Sequence, residues 1–418
     1  MKKTLLTICL TWMCFSLSAQ KIIDLSGKWS FSIDRQDNGE KEKWFSHTLN
    51  DCINLPGSMP EKLKGDEVTA KTQWTGSLYD SSYYYNPYME KYRKEGNIKF
   101  PFFLTPDKHY VGAAWYQKEV NIPADWKGER ILLFLERPHI ETTVWVNGQK
   151  TGMQNSLCVP HQYDITRYVR PGKCTITIRV DNRIKEINVG PDSHSITDQT
   201  QGNWNGIVGR ICLQTTPKTY FDDIQIYPEP EQKLARVKVV IKGAGITKIK
   251  LSAESFNTDK KHIVPAIQQE IKLNKGVTET EMVLPMGNDM LLWDEFHPAL
   301  YKLKAEVTNG KKTEIKEIQF GMRRFEIKGK WFYVNGRKTQ LRGTVENCDF
   351  PLTGYAPMDV ESWERVFRIC RSYGLNHMRF HSFCPPEAAF MAADRVGFYL
   401  QPEGPSWPNH GPKLGLGQ

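Results

Sequence analysis

Residues 375–404 read LNHMRFHSFCPPEAAFMAADRVGFYLQPEG, and this stretch decides the fold of the C-terminal part of the chain. The run LNHMRFHSF predicts a strand. The run PPEAAFMAADRV has proline in its first turn and Gly397 after its end, which predicts a helix. The run FYLQPE predicts a further strand that ends at Glu403. A strand, a helix and a strand in succession are typical of a parallel α/β structure.

The preceding residues extend the same pattern. TQLRGTVE, residues 339–346, predicts a strand, and DVESWERVFRICRSYG predicts a helix with Asp359 as its N-cap and Gly374 as its C-terminal stop. The apolar face of this helix consists of Val360, Trp363, Val366, Phe367 and Cys370. The sequence therefore predicts three parallel strands separated by two helices.

Polar residues follow the predicted strands. In a (β/α)8 barrel the reactive groups lie at the C-terminal ends of the strands. If the three strands belong to such a barrel, one rim carries Glu346, Asn347 and Asp349 after the first strand, Arg379, His381 and Ser382 at the second, and Glu403 at the third. Each of these side chains can hydrogen-bond one or two hydroxyls in a fixed direction, which suits a polyhydroxylated ligand.

Several of these residues also have a structural interpretation. Arg379 is either a ligand-binding group or an ion-pair partner of Glu346 or Glu403, and His381 is either a rim residue or a buried core histidine. Trp407 is either a platform for stacking on a sugar or the anchor of a buried loop. Glu403 is expected to line a pocket rather than to act alone, because hydrolysis of a glycosidic bond usually takes two carboxyl groups roughly 5 Å or more apart.

The N-terminal half of the chain has a β pattern. WSFSID alternates Trp29, Phe31 and Ile33 on one face, as a half-buried strand does. ILLFLERPHIETTVWVNGQK, residues 131–150, predicts two strands, the second of which turns at Asn-Gly, a strong hairpin signal. Many short strands separated by Gly, Pro and Asn indicate a β-sandwich between about residues 20 and 217.

A second β block spans residues 218–321. It contains the alternating runs RVKVVIKG, KIKLSAESF, TEMVLP and YKLKAEV. Their spacing is typical of an immunoglobulin-like sandwich of roughly 100 residues. The chain is thus predicted to be multidomain, which its 418 residues allow.

The N-terminus is typical of a secretory signal. Lys2 and Lys3 precede an apolar stretch, and small residues at 18–19 predict cleavage before Gln20. The apolar stretch is too short for a stable membrane anchor. We therefore expect an exported protein, periplasmic or extracellular, with residues 1–19 removed and no membrane span.

Charge and cysteine content give weaker indications. With 56 Lys and Arg against 47 Asp and Glu, the net charge is +9, spread without a basic run. This excess supports an acidic glycan weakly, and no nucleic-acid partner is expected. The cysteines after residue 19 are Cys52, Cys158, Cys174, Cys212, Cys348, Cys370 and Cys384. They lack zinc-site spacing, so we expect no metal site, no cofactor and no disulfide scaffold.

Several stretches together resemble glycoside hydrolase family 2, the family of β-galactosidases, β-glucuronidases and β-mannosidases. LWDEFHPALYKL is similar to the end of the family's immunoglobulin-like domain, and GMRRFEIKGKWFYVNGRKTQLRG to its link into the first barrel strand. YGLNHMRFHSFCPPEAAFMAADRVGFYLQPEG resembles its second strand, second helix and third strand. Upstream, AAWYQKEVNIP, VWVNGQ and GNWNGIVGRICLQ resemble its N-terminal jelly roll. The resemblance covers the whole chain after the signal, in domain order.

The resemblance implies a retaining exo-glycosidase that acts on the non-reducing end of an oligosaccharide or polysaccharide. It implies a sugar-binding jelly roll at 20–217, an immunoglobulin-like domain at 218–321 and the N-terminal part of a (β/α)8 barrel catalytic domain at 322–418. In the family, a Glu proton donor follows barrel strand four and a Glu nucleophile follows strand seven. A barrel takes roughly 250 residues, so we expect both catalytic residues beyond Gln418 and no activity of this fragment alone.

The resemblance also assigns site residues one by one. Arg379 matches the family's strand-two arginine, and Glu403 matches the strand-three acidic residue that lines the sugar pocket. His410 resembles a histidine that follows in some galactosidases. Asp198 and Gln199 resemble a loop that reaches the sugar, with a different spacing to the next tryptophan.

Two stretches depart from the family's pattern. After strand one the family usually reads Arg-Gly-Val-Asn-Arg-His-Glu, whereas this chain has RGTVENCDF and lacks that histidine. Strand two usually ends Ser-His-Tyr-Pro, whereas FHSFCP has its histidine one residue earlier. Both changes fall on the sugar-facing rim, so the sequence does not identify the sugar.

A non-catalytic secreted carbohydrate-binding protein is the alternative hypothesis. The reading frame after Gln418 separates the two: an Asn-Glu pair after a fourth strand favours the enzyme, and a stop codon favours binding alone. The sequence gives no indication of the oligomeric state.

Overall fold

The computed structural model describes residues 20–69, 71–73, 75–76, 85–99, 102–185, 189, 193–198, 200 and 202–405. The predicted signal segment, Gln199, Trp407 and His410 lie outside these residues. The large hydrophobic clusters of the described residues fall within 25–213, 221–322 and 348–400. No helix among these residues is long and apolar enough to cross a bilayer.

The first region consists of strands. They are β1 (Ile22–Asp24), β2 (Gly27–Asp34), β3 (Asp51–Leu55), β4 (Gly57–Ser58), β5 (Asp66–Glu67), β6 (Lys108–His109), β7 (Ala113–Ile122), β8 (Arg130–His139), β9 (Glu141–Val146), β10 (Gln149–Asn155), β11 (His161–Asp164), β12 (Gly172–Asp181) and β13 (Gly206–Thr216). One sheet has the order β1-β13-β8-β11, with β4 paired to β13, and the other has the order β10-β9-β12-β7-β2-β3. Strands β5 and β6 form a separate pair.

The two large sheets share one core, as a β-sandwich requires. Trp29 and Phe31 on β2 and Leu133 and Leu135 on β8 are all buried in the same cluster. The alternation predicted for WSFSID is therefore confirmed. The predicted hairpin turn is also present between β9 and β10, where Asn147 has a φ of 50° and the following glycine a φ of 76°.

The second region is the immunoglobulin-like block. Its strands are β14 (Tyr220–Glu229), β15 (Leu234–Phe256), β16 (Ile263–Pro285), β17 (Leu300–Asn309) and β18 (Lys312–Phe320). RVKVVIKG and KIKLSAESF form the single strand β15 rather than two strands. Gly245, with a φ of 90°, lies at a register shift between β15 and β16, so the chain passes an irregularity here without leaving the ladder.

The third region carries the helices. An antiparallel sheet of β19 (Phe325–Lys328), β20 (Trp331–Val334) and β21 (Arg337–Thr339) precedes β22 (Gly343–Glu346), α1 (Val360–Ser372), β23 (His377–Phe380), α2 (Glu387–Val396) and β24 (Tyr399–Pro402). Strands β22, β23 and β24 form a parallel sheet in that order. The predicted succession of strands and helices is confirmed, although β22 begins at Gly343 and not at the start of TQLRGTVE. Closure of this sheet into a barrel remains a prediction.

Local signals explain where α1 begins and which face it buries. The Asp359 carboxylate accepts a hydrogen bond from the Ser362 backbone N–H at 2.7 Å, which is the predicted N-cap and is worth about 1 kcal/mol. Trp363 and Phe367 are buried. The Phe367 ring stacks on that of Phe398 at 4.8 Å, which fixes the helix against the chain entering β24.

The N-terminal edge of the parallel sheet is joined to the immunoglobulin-like block. The Glu295 carboxylate accepts from Asn376 Nδ2 at 2.8 Å and from Arg342 Nη2 at 3.3 Å. Arg371 Nη1 donates to the backbone carbonyl of Glu295 and to that of Gly397 at 3.0 Å. The buried Trp293 donates its indole N–H to the Asp394 carbonyl at 2.7 Å. This joint holds the start of each parallel strand, and hence the direction in which the strands end.

Candidate functional site

The register of the parallel sheet brings the predicted rim residues together. Glu346 on β22 pairs with Phe380 on β23, which pairs with Pro402 on β24. The three strands therefore end level with one another. The backbone N–H of His381 donates to the Glu346 carbonyl at 2.9 Å, which extends the ladder by one residue. Asn347, His381 and Glu403 consequently follow neighbouring strand ends.

Glu403 is fixed by two donors from the neighbouring strand end. Arg379 Nε donates to Oε1 at 2.5 Å, and the Ser382 backbone N–H donates to Oε2 at 2.9 Å. Burial works to raise the pKa of this carboxyl, but the two hydrogen bonds and the arginine charge outweigh it and lower the pKa. Glu403 is therefore an ionised acceptor near neutral pH. Of the two ion-pair partners that the sequence allowed for Arg379, the structure selects Glu403.

His381 and Asn347 lie side by side. His381 Nδ1 is 3.2 Å from Asn347 Oδ1, so the ring is oriented by the amide. Asn347 belongs to RGTVENCDF and His381 to FHSFCP, the two stretches that depart from the pattern expected after strands one and two. A residue from each of these two stretches thus contacts the other, so both differences from the family pattern fall at the same place on the rim.

The pKa values of Glu346 and Asp349 are shifted in the opposite direction to that of Glu403. Oε1 of Glu346 accepts from the backbone N–H groups of Cys348, at 2.8 Å, and of Asp349, at 3.4 Å. Burial raises the pKa of Glu346 despite these bonds, and burial also raises the pKa of Asp349. The rim therefore combines one strongly ionised carboxylate with two carboxyls that bind protons more readily.

A loop of the first sandwich completes this rim. The hydroxyl of Ser195 donates to the Ser382 carbonyl at 3.2 Å, and that of Ser193 does so at 3.5 Å. The His194 ring lies edge-on to the His381 ring, with 4.3 Å between their centres. Burial, followed by the charge of His381, lowers the pKa of His194 to about 4, so its ring is neutral at pH 7.

Sequence reasoning missed this loop. The signal was present in the stretch SHSITDQ, where small hydroxyl residues surround a histidine just before the predicted Asp198. Nothing in that stretch shows a contact with a residue nearly 190 positions away. The contact follows from packing of the sandwich against the end of β23.

Asp198 lies deeper in the sandwich than the rest of the predicted site. It is fully buried, and its Oδ2 accepts from the Thr75 backbone N–H at 2.6 Å and lies 3.2 Å from His109 Nε2. These partners hold the loop that carries Ser193, His194 and Ser195. A direct contact of Asp198 with sugar remains a prediction, as do the roles of Trp407 and His410.

The described residues contain no group of three His, Cys, Asp or Glu side chains arranged to hold a metal ion. The chemistry of the rim is instead that of hydrogen-bond donors and acceptors: an arginine, two histidines, an amide and carboxyl groups. Such groups bind hydroxyls in defined directions.

Two family models match the chain. "Glycosyl hydrolases family 2, sugar binding domain" matches residues 22–217, and "Glycosyl hydrolases family 2" matches residues 219–323. The chain belongs to glycosyl hydrolase family 2. Its first sandwich corresponds to the family's sugar-binding domain, whose 193–195 loop contacts the end of β23.

Curated relatives of this family 2 chain are named as two kinds of enzyme. The β-galactosidase of Thermoanaerobacter pseudethanolicus is 25% identical over 334 residues, which covers 75% of this chain and 42% of the relative. The β-glucuronidase of Homo sapiens is 23% identical over 420 residues, which covers 91% of this chain and 57% of the relative. The chain thus spans about half the length of these relatives.

Solved structures share the fold. A β-glucuronidase from Ruminococcus gnavus has a TM-score of 0.67 at 18% identity, covering 92% of this chain and 60% of that one. A family 2 member from Bacteroides cellulosilyticus has a TM-score of 0.65 at 19% identity, covering 92% of this chain and 47% of that one. The two β regions and the parallel α/β region therefore share the fold of known family 2 proteins.

Proposed function

We propose that the chain is the N-terminal part of a secreted retaining exo-glycosidase and that it binds the terminal sugar of a glycan. In this proposal residues 20–217 form a sugar-binding jelly roll, residues 218–321 an immunoglobulin-like domain and residues 322–418 the first three strands of a (β/α)8 barrel. Membership of family 2 and the parallel order of β22, β23 and β24 support this division.

One observation carries the proposal: the ends of three parallel strands and a sandwich loop place hydrogen-bonding groups of several kinds at one rim. Glu403 is ionised and about a quarter of its side chain is exposed, so it can still accept from a sugar hydroxyl. Arg379, whose side chain is 40% exposed, has further N–H groups to donate. His381 and Asn347 lie beside them and offer directional contacts to neighbouring hydroxyls.

The proposal assigns no catalytic role to the described carboxyls. Glu403 is held ionised by Arg379 and an amide, which suits binding better than proton donation. Glu346 is directed toward two backbone N–H groups of its own loop. A retaining mechanism takes two carboxyl groups about 5 Å apart on opposite sides of the bond. We propose that this pair comes from sequence beyond Gln418, as the resemblance implies.

The names of the relatives indicate which glycosides to test first. Galactosides and glucuronides are the substrates that the names β-galactosidase and β-glucuronidase print for those proteins. We extend them to this chain as proposals, together with export by the signal predicted at residues 1–19. The glycan is thus expected outside the cytoplasm.

The proposal is tested by separating binding from turnover. Methyl β-galactoside and methyl β-glucuronide are titrated into the 418-residue chain and binding is followed by NMR. Arg379→Gln is expected to weaken binding about tenfold or more, because it removes a charged donor. Arg368→Gln, on the exposed face of α1, is the matched control and is expected to leave affinity unchanged.

Turnover is measured with nitrophenyl glycosides. The 418-residue chain is expected to release no nitrophenol, whereas a chain extended through the complete barrel is expected to do so. Release by the 418-residue chain would contradict the division of roles. Sugar binding by the extended chain without any turnover would favour the alternative, a carbohydrate-binding protein that is not an enzyme.

A further inference from the structure

Three cysteine side chains line one small cavity between the first sandwich and the parallel α/β region. The cavity has a volume of about 30 Å³, and its walls include Cys158 from the sandwich and Cys348 and Cys384 from the strand ends. Each thiol belongs to a different loop, so the cavity is where three distant parts of the chain meet. All three cysteines are free thiols in this structure.

One arginine holds two of these loops together. Arg137 Nη1 donates to the Cys384 carbonyl at 3.0 Å, and Nη2 donates to the Pro385 carbonyl at 3.2 Å. The same Nη2 lies 3.4 Å from the Cys158 carbonyl. Two nitrogens of one planar guanidinium thus contact the backbones of both cysteines. The two backbones therefore lie close together, on the same side chain.

The thiol of Cys158 lies close to the backbone of Cys384. Burial raises the pKa of the Cys158 thiol, and the nearby backbone N–H of Cys384 acts in the opposite direction. Both side chains also line the same small cavity, so the two sulfur atoms lie in one neighbourhood. Disulfides form between cysteines whose Cα atoms are about 4.4–6.8 Å apart, and a link between Cys158 and Cys384 requires that separation.

From these contacts we propose that Cys158 and Cys384 form a disulfide that links the sugar-binding sandwich covalently to the loop that follows β23, the strand carrying Arg379. The proposal does not depend on the glycosidase activity. It concerns a modification that the exported chain would acquire in an oxidising compartment.

The third thiol is the competing partner, and its burial disfavours it. Cys348 is 2% exposed, whereas Cys158 and Cys384 are both partly exposed. An oxidant must first reach a sulfur atom, so the two partly exposed thiols react before the buried one. Cys348 is also held in its own loop, where its backbone N–H donates to Glu346.

The reaction balances with a small disulfide such as oxidised glutathione as the oxidant. The Cys158 thiolate attacks one glutathione sulfur, a protein–glutathione disulfide forms, and one glutathione thiolate leaves. The Cys384 thiolate then attacks the Cys158 sulfur, and the second glutathione leaves. Both cysteine protons end on glutathione, the protein loses two electrons, and one glutathione disulfide is reduced to two thiols.

The link would stiffen the rim of the candidate site. The Glu403 backbone N–H donates to the Phe383 carbonyl at 3.3 Å, next to Cys384, and the Ser382 N–H binds the Glu403 carboxylate. A covalent bond at Cys384 therefore restrains the segment that positions Glu403. Because it closes a loop of more than two hundred residues, it also restricts the unfolded chain strongly.

The test is peptide mapping of the native chain after incubation with oxidised glutathione. A peptide joining Cys158 to Cys384 is expected in nearly every molecule, with about two fewer free thiols per chain than after reduction. The linked chain is expected to melt roughly 3 °C or more above the reduced chain. Cys384→Ser should remove both the linked peptide and the difference in melting temperature.

Matched variants separate this pair from the alternatives. Cys348→Ser removes the competitor and is expected to leave the link intact, and Cys174→Ser, in the sandwich core, serves as a control for a thiol outside the cavity. A Cys158–Cys348 peptide, glutathione adducts without a link, or no reaction of the native chain would each overturn the proposal. Since mapping reads the link directly, a variant that folds poorly does not decide the outcome.

Discussion

An arginine–glutamate ion pair lies at each edge of the parallel sheet, but the two pairs have different surroundings. At the N-terminal edge, Glu295 of the immunoglobulin-like block meets Arg342, and only 10% of the glutamate side chain is exposed. At the C-terminal edge, Glu403 meets Arg379, with 26% of the glutamate side chain exposed. Both carboxylates are anchored by an arginine, but only the second retains surface for a ligand.

The partners of the two carboxylates explain this difference. Glu295 also accepts from the buried Asn376 and joins two domains, so its hydrogen bonds are used internally. Glu403 accepts from the backbone N–H of Ser382, whose carbonyl in turn accepts from a loop of the sugar-binding sandwich. The N-terminal edge thus sets the position of the strands, whereas the C-terminal edge is the one that we propose to bind sugar.

Trp293→Ala is expected to have the largest effect because it breaks the N-terminal joint. The side chain is 2% exposed, packs on Tyr399 and donates to the Asp394 carbonyl. Its removal should lower the free energy of unfolding by about 3–5 kcal/mol, measured by urea unfolding. Trp331→Ala, at a position that is 41% exposed, is the control and should cost far less. Equal losses would show that the joint is not a packing centre.

The stability of the protein should depend on pH through His194, at the C-terminal edge of the sheet. Burial lowers the pKa of His194 to about 4, from 6.5 for the ordinary side chain, so the unfolded chain binds the proton more readily. The contribution of this group to stability is complete above pH 6.5 and is lost as the pH falls from there toward 4. The loss is roughly 3 kcal/mol at most, at about 1.4 kcal/mol per unit of pKa.

His194→Gln should therefore flatten the stability curve between pH 6.5 and 4, measured by urea unfolding at each pH. His297→Gln, at the other joint, replaces a side chain that is 80% exposed and should leave the slope unchanged. If His194→Gln keeps the full slope, His194 does not experience the burial described here.

Exchanging each glutamate for glutamine compares the two edges directly. Glu295→Gln should lower the free energy of unfolding by about 2 kcal/mol, because it weakens bonds to two buried or half-buried donors. Its sugar affinity should be unchanged. Glu403→Gln should reduce affinity for a methyl β-glycoside about tenfold with little loss of stability, measured by NMR titration. The reverse pattern would contradict the assignment of roles.

Ser195→Ala is expected to have the smallest effect. It removes one hydroxyl donor from the Ser382 carbonyl, and Ser193 still donates to the same oxygen. Sugar affinity should fall about twofold to fivefold, corresponding to roughly 0.5–1 kcal/mol. Ser372→Ala, at the end of α1, is a matched serine control outside the rim. No change would show that the Ser195 hydroxyl is not needed for sugar binding.

The features that the sequence predicted are those set by local chemistry. The Asn147 turn and the Asp359 cap depend on residues next to one another, and both are present. The rim residues were predictable because parallel strands end at one edge, which makes Glu346, Arg379 and Glu403 neighbours whatever the loops do.

What the sequence did not predict depends on contacts between distant parts of the chain. The role of His194 needs the docked position of the sandwich, and the choice of Glu403 over Glu346 by Arg379 depends on how the loop after β22 folds. In that loop the backbone N–H groups of Cys348 and Asp349 donate to the Glu346 carboxylate. The runs RVKVVIKG and KIKLSAESF form the single strand β15, because the ladder with β16 continues past a register shift at Gly243 and Gly245.

The most direct test of the central claim is a map of backbone amide hydrogen exchange in the 418-residue chain with and without a bound methyl β-glycoside. We expect slower exchange at His381, Ser382 and Glu403 and unchanged exchange at Arg342, Asn376 and Gly397. Slowing at the second set without the first, or only at surfaces of the sandwich remote from residues 193–195, would contradict the proposal that the C-terminal edge binds sugar.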